Sequence, residues 1–232
     1  MMKLSARDHG PLRRLALVLL ASFAVLALAG CGIFSPDESD DDDGGGGTVD
    51  QFRETGVGVV PDGTARDNVI FNLELAYELL EYLEYQKLIH DEYVFRVDPA
   101  EIDIVGSAEL SAGEDLASTE AMFGGEPGVE PVLDPVTGLP TGETRVVAPV
   151  QSIELDLNPD SASSWTQMED GEFVDAWRRV YDVDMTVTYS DGDVQTITGK
   201  QVFYVLPGTL SGDTSGKEYW QLRAWEDQGI NS

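Results

Sequence analysis

The 232-residue sequence holds one cysteine, two histidines and only 14 lysines and arginines against 43 acidic residues. Each scarcity excludes something. A single cysteine forms no intrachain disulfide and builds neither a zinc finger nor an iron–sulfur cluster. His9 lies near the start, which leaves His90 as the one imidazole of the remaining chain. A multi-histidine metal site is therefore impossible, and a Ser-His-Asp triad would have to use His90. The formal charge of −29 repels phosphate backbones and excludes a nucleic-acid partner. No apolar run reaches the length needed to span a bilayer. There is no P-loop, no Gly-x-Ser-x-Gly elbow, no His-Glu-x-x-His and no dinucleotide Gly-x-Gly-x-x-Gly. No cofactor and no metal is called for. What is present is 42% apolar and 9% aromatic residues, enough for a folded core.

The first 30 residues read as a targeting segment. Lys3, Arg7, Arg13 and Arg14 precede the uncharged run Leu15 to Leu28, and Leu28-Ala29-Gly30-Cys31 follows at once. The run suits a signal-peptide core. The four-residue end resembles the lipobox of bacterial lipoproteins. That resemblance implies cleavage before Cys31, lipidation of its thiol and acylation of the new amine, and so membrane attachment through the lipid anchor. Gly32, rather than Asp, follows the cysteine, which in enteric-type sorting resembles export to the outer membrane. The expected location is the bacterial cell envelope. Without residues 1–30 the chain has 10 basic and 42 acidic residues, a net of −32. Such a charge keeps a surface soluble and self-repelling, and it also suits a salty environment.

Three regions are expected: the signal peptide at 1–30, a tether at 31–63 and a domain at 64–232. In the tether, six of the seven residues 37–43 are acidic and four glycines follow. It cannot bury apolar surface and reads as a disordered spacer. The Asp run lacks the glycine and terminal glutamate spacing of a calcium loop. Residues 48–63 carry a few apolar positions and could lie on the domain as an extended arm.

Thr64 to Asp67 has the form of a capping box. Val69, Leu73, Ala76, Leu80 and Leu83 then recur at helical spacing, predicting a helix over about 67–86 with Glu74, Glu78, Glu81 and Glu84 on its wetter side. Gln86 to His90 reads as a short helical turn, and Tyr93, Phe95 and Val97 as a strand. Ser111 to Glu114 is a second capping box, before a helix at about 112–123. Residues 124–143, with five glycines and four prolines, read as a long insertion loop. Strands follow at 146–157, through Tyr181 to Tyr189, and at 193–206 across an Asp191-Gly192 turn. A last strand, 218–226, is rich in aromatics. Helices followed by a long meander give an α+β domain, with helices on one face of a curved antiparallel sheet.

The first helix, the transition from Tyr85 through Ile89-His90-Asp91-Glu92-Tyr93-Val94-Phe95 and the closing Trp220-Gln-Leu-Arg-Ala-Trp225-Glu-Asp strand resemble the nuclear transport factor two-like superfamily. The resemblance covers about residues 65–230 and implies a cone: a bent sheet wrapped around the long N-terminal helix, with a pocket at the wide end. The insertion at 124–143 departs from it. Ketosteroid isomerases and dehydratases of that fold resemble a template of pocket carboxylate, tyrosine or histidine in an apolar cavity. On that template the candidates are His90, Asp98, Tyr93 and Tyr181, none of which falls on a family motif. Trp177 and Trp225, with Tyr93 and Tyr181, are candidates to line a ligand pocket. Bland readings stand beside these. His90 fits a half-exposed helix end, and Asp98, ahead of Pro99, fits a strand-end turn, so both should titrate near their ordinary values. Two function classes stand. One is a non-catalytic envelope lipoprotein that binds a small apolar ligand or a protein partner. The other is an isomerase, dehydratase or hydrolase of the same fold. Ligand and oligomeric state are not encoded legibly.

Overall fold

The computed structural model describes residues 51–99 and 101–228; Cys31 and the expected signal peptide lie outside them. Helix α1 (Asp62–Leu79) starts two residues before the expected box, behind Pro61, and carries no side-chain cap. Its buried stripe includes Val69, Leu73, Ala76 and Tyr77. The helix does not run on to 86. Leu80 takes the left-handed conformation, and the Leu80 and Glu81 amides donate back to the Tyr77 and Ala76 carbonyls. This closes the helix as a Schellman turn. Helix α2 (Tyr82–Leu88) restarts after it, which leaves Leu83 mostly exposed. Glu74, expected on the wet side, is half-buried and accepts the Leu157 amide at 2.5 Å.

Strand β1 (Ile89–Arg96) begins at Ile89, so His90 lies in the strand and not at the end of a helical turn. A short helix α3 (Ile102–Val105) and strand β2 (Glu109–Ser111) lead into α4 (Ala112–Phe123). The Ser111–Glu114 capping box at the start of α4 is present in both directions. Strand β5 (Val150–Pro159) and the two-residue β6 (Thr166–Gln167) precede the long strands β7 (Trp177–Tyr189) and β8 (Val194–Gly208), and β9 (Tyr219–Asp227) closes the domain. The main sheet has the order β2-β1-β9-β8-β7-β5, with β6 beside β7. It is mixed, not wholly antiparallel: β1 and β9 run parallel. The β7–β8–β9 meander fixes the direction of β9, and the long crossover from β1 allows a parallel neighbour.

The domain is α+β, with the curved sheet wrapping α1. The helix packs on β5 and on β9, although β7 and β8 lie between them in the sheet. Tyr181, Val183, Met185, Val187 and Tyr189 face that helix. The opposite face of the sheet is also covered. Phe173 and Ala176, from the β6–β7 connection, pack on Val202, Tyr204 and Ala224. With both faces buried, Gln201 to Val205 is a continuous buried run.

The Gly/Pro-rich insertion is not a loop. Strands β3 (Gly128–Leu133) and β4 (Pro140–Val147) pair as a separate two-stranded ribbon. Its turn is set by Asp134, whose carboxylate accepts the Val136 and Thr137 amides at 2.8 Å each, and by Gly138 at φ 70°. The turn chemistry is that of an Asp-Pro-x-x-Gly connection. Residues 52–60 lie on the domain. Phe52, Val57 and Val60 touch the core, the Trp220 amide donates to the Thr55 carbonyl, and Asn72 holds the Arg53 backbone at both its amide and its carbonyl.

Candidate functional site

Among the described residues, the carboxyl most strongly perturbed by burial is that of Asp115. It lies on the buried face of α4 with Ser118, Thr119, Met122 and Phe123. The Tyr85 hydroxyl, from α2, donates to Asp115 Oδ2 at 2.5 Å. Tyr77 of α1 and Tyr93 of β1 complete the group. Their hydroxyls are buried near Tyr85 and Asp115 without a partner of good geometry. Phe123 meets Tyr77 edge to face at 5.2 Å, and Trp225 meets the same ring at 6.3 Å. Four elements thus deliver one carboxyl and three phenols to a single apolar compartment.

Burial dominates the electrostatics there. Desolvation pushes the Asp115 carboxyl up to about 7, against the opposing pull of the Tyr85 hydrogen bond. Desolvation and the nearby Asp115 hold all three phenols well above their ordinary range, so they remain neutral donors. A carboxyl poised near neutrality beside neutral hydroxyls is able to give or take a proton. Here, though, the packed rings enclose it: Tyr77, Tyr85 and Tyr93 are at most 1% exposed.

The sequence candidates fall in several places. Tyr93 belongs to this interior group, and Trp225 packs against it. The Trp225 indole donates to Gln201 Oε1 at 2.7 Å, and its ring lies 5.0 Å from Phe203. Tyr181 is buried further along the sheet, edge-on to Phe203 at 5.5 Å. Trp177 is half-buried at the start of β7, with Arg66 3.9 Å over its ring. His90 and Asp98 do not converge: His90 lies near the start of β1, and Asp98 lies two residues beyond its end. His90 is half-buried, and its Nδ1 accepts the Glu92 amide at 3.0 Å. Burial and then Arg223 lower its pKa, which departs from the ordinary value expected for an exposed helix end. Asp98 follows β1, and its carbonyl accepts the Glu101 amide at 2.8 Å.

Asp115 and Tyr77 were not singled out by sequence reasoning, and Tyr85 stood out only as part of the transition into β1, not as a site residue. A signal did exist: positions 115, 118, 119, 122 and 123 form one helical face on which the apolar Met122 and Phe123 mark burial. An Asp on that face is a buried carboxyl, but an acid in the first turn reads as a capping charge.

The clefts that open to solvent are elsewhere. One, of about 300 Å³, lies between the N-terminal arm, α1, α2 and the loop before β9, with Arg53, Glu54, Asn72, Lys87, Leu210 and Tyr219 in its wall. Among the described residues no group of acids, histidines and cysteines could hold a metal, and no helix is long and apolar enough to cross a membrane.

No family model matches the chain, and no curated protein matches it significantly. Solved structures similar to it include a ketosteroid isomerase-like protein from Erwinia carotovora atroseptica, at 10% identity over 74% of this chain and 98% of that one, with a TM-score of 0.41. A conserved protein from Planctomyces limnophilus is 14% identical over 69% and 90% of the two chains, with a TM-score of 0.42. A nuclear transport factor two-like protein of unknown function from Exiguobacterium is 12% identical over 69% and 99%, with a TM-score of 0.36.

Proposed function

We propose that the chain is an envelope lipoprotein, anchored through Cys31, whose nuclear transport factor two-like cone serves as a non-catalytic binding head. The tether of aspartates and glycines would hold the head away from the membrane by roughly 25 Å, and charge repulsion would extend it further. One observation carries the binding reading over catalysis. Among the described residues burial raises two acids: Asp115, sealed beneath Tyr77, Tyr85 and Tyr93, and Glu74, whose carboxylate already accepts the Leu157 amide, whereas in the wall of the open cleft the acid Glu84 is committed to Lys87 at 2.7 Å. Acid–base catalysis requires its proton donor within reach of substrate.

A second reading is favoured by the same group. If α4 or α2 opened, a carboxyl at about 7 beside three phenols would suit proton transfer to a carbonyl compound, as in an isomerase or dehydratase. Fractionation with mass spectrometry of the mature N-terminus tests the anchor: a diacylglycerol-modified Cys31 in the membrane fraction supports it, and an acyl-free terminus overturns it. Hydrogen exchange at Tyr77, Tyr85 and Asp115 amides tests the head. Exchange only through global unfolding fits a sealed core. Fast local exchange would favour the catalytic reading.

A further inference from the structure

The first turn of α1 combines free donors with an unpartnered cation. Pro61 caps the helix without a side-chain bond, and the Ala65 amide is the first to find a backbone acceptor, the Pro61 carbonyl. The Asp62, Gly63 and Thr64 amides have no acceptor among the described residues. One turn on, Arg66 is only 7% exposed and makes neither a hydrogen bond nor an ion pair. Its guanidinium carbon lies 3.9 Å from the centre of the Trp177 ring and 4.9 Å from that of Trp220. It reaches back along the helix, so that a methyl group at Gly63 would sit 3.9 Å from its terminal nitrogen. The Trp220 indole N–H beneath it is also buried without an acceptor.

Two carboxylates lie near this arginine: Asp62, which makes no ion pair with it, and Asp67, which is committed elsewhere. Asp67 Oδ1 accepts the Arg179 guanidinium at 2.9 Å and the Trp165 indole at 2.7 Å. Burial accordingly works against the Arg66 charge, with Asp62 and Asp67 only partly offsetting it at a distance. The Arg66 Nε–H is buried with no acceptor, which is costly unless something accepts from it. Cation–π contact with two indoles holds it in place without using its N–H groups.

We infer that the α1 N-terminus, with Arg66 held against Trp177 and Trp220, is a binding site for a small monocarboxylate. The planar fork of a guanidinium matches a carboxylate bidentately, and the free first-turn amides of an 18-residue helix add donors and a favourable dipole. Charge selects within the anions. From Arg66 onward the domain carries 33 acidic and nine basic residues, a net of −24. With Asp62 and Asp67 adjacent, the second charge of a phosphate is repelled where the single charge of a carboxylate is tolerated. Trp177, half-exposed beside the cation, offers an apolar edge to the body of the ligand. The inference rests on the reading of the domain as a binding head, and names what it binds.

The test is an NMR titration of the mature chain with benzoate as probe and inorganic phosphate as comparison. Saturable shifts are expected at the Gly63 and Thr64 amides and at the Trp177 and Trp220 indoles, with phosphate weaker by about tenfold or more. Arg66→Met should weaken benzoate by about tenfold. Should that variant lose its amide dispersion, Arg66→Lys keeps the charge, removes the fork and should still bind more weakly than the parent. Lys200→Met, which removes a surface cation elsewhere, should leave the shifts unchanged. Benzoate that moves none of these signals, or moves them equally in Arg66→Met and in the parent, overturns the site. Neither outcome bears on the anchor, whose own measurement is the acylation of Cys31, so the two can fail separately.

Discussion

Tyr85 and Asp115 meet at 2.5 Å in a compartment shared with Tyr77, Tyr93 and Phe123, and both side chains are buried. The pair joins α2 to α4 and is the polar link between two helices otherwise held by rings. A hydroxyl donor favours the ionised carboxyl, while burial favours the neutral one, and burial wins.

That balance predicts a pH-dependent stability. The Asp115 carboxyl titrates at about 7 folded and near 3.8 unfolded. Between these values the folded state binds more protons than the unfolded state. Stability from this group is therefore full below about pH 4 and declines through the window up to about 7, where the decline levels off. The total is on the order of 2–4 kcal/mol. Urea midpoints at pH 4.5 and 7.5 should differ more for the parent than for Asp115→Asn, which cannot ionise. Equal differences in the two proteins would place the titration elsewhere. Tyr85→Phe should cost about 1–3 kcal/mol, because it strands a buried acceptor, and should raise the Asp115 titration further.

Much of the fold is legible in the sequence because its signals are local. The α4 box, the Asp191-Gly192 hairpin and the alternation of β7 depend on neighbours one to four residues away, and the structure matches them. Signals that depend on distant partners are not legible. The apolar stripe of α1 continues past Leu80, yet the chain turns there, because a Schellman closure lets Tyr82 and Tyr85 fold back on the domain. The ribbon at β3–β4 hides behind proline and glycine counts that its turn requires. The parallel β1–β9 pair joins residues about 130 apart, where no periodicity reaches. In the site, Tyr93 and Trp225 stand out as aromatics, while Asp115 passes as a helix-start charge. The Arg66 site is invisible for a similar reason: its tryptophans arrive from β7 and β9.

The outer face of the sheet depends on one ring. Phe173 is 5% exposed and packs on Tyr204 at 4.6 Å, with the Arg96 and Arg223 guanidinium groups 4.7 and 5.3 Å from its centre. Arg96 in turn binds Glu109 and Glu226 at 3.0 and 2.9 Å, and Glu172 as well. Phe173→Ala should cost about 3 kcal/mol, from the lost burial and the cavity left behind. Arg96→Met keeps the stem over the ring and should cost about 1 kcal/mol or less, as expected of mostly exposed pairs. Denaturant midpoints of the two variants should rank in that order.

Backbone strain offers a gain in stability. Asp175 is exposed and sits at φ 69°, where its amide donates to the Met168 carbonyl at 2.9 Å. A side chain in the left-handed region costs about 1–2 kcal/mol, and glycine does not carry that cost. Asp175→Gly should stabilise by up to about 1 kcal/mol once the added freedom of the unfolded chain is deducted. A lower melting temperature than the parent would show that the Asp175 side chain makes a compensating contact.

The last expectation concerns salt. The net charge of −24 from Arg66 onward is spread over a surface where Arg96, Lys87, Arg145, Lys200, Arg179, Lys217 and Arg223 are already paired with acids. Sodium chloride weakens both the pairs and the repulsion. The pairs are few and mostly exposed, worth about 0–1 kcal/mol each. The repulsion involves the 24 acids in excess, many within reach of one another at a Debye length of about 10 Å in 0.1 M salt and few at about 3 Å in 1 M. Repulsion therefore has more to lose, and the chloride dependence of the urea midpoint should be upward. Sulfate is unsuitable because it also strengthens apolar burial. A midpoint that stays flat or falls between 0.1 and 1 M chloride would show that the paired cations already neutralise the field locally, and that the excess acids lie too far apart to matter.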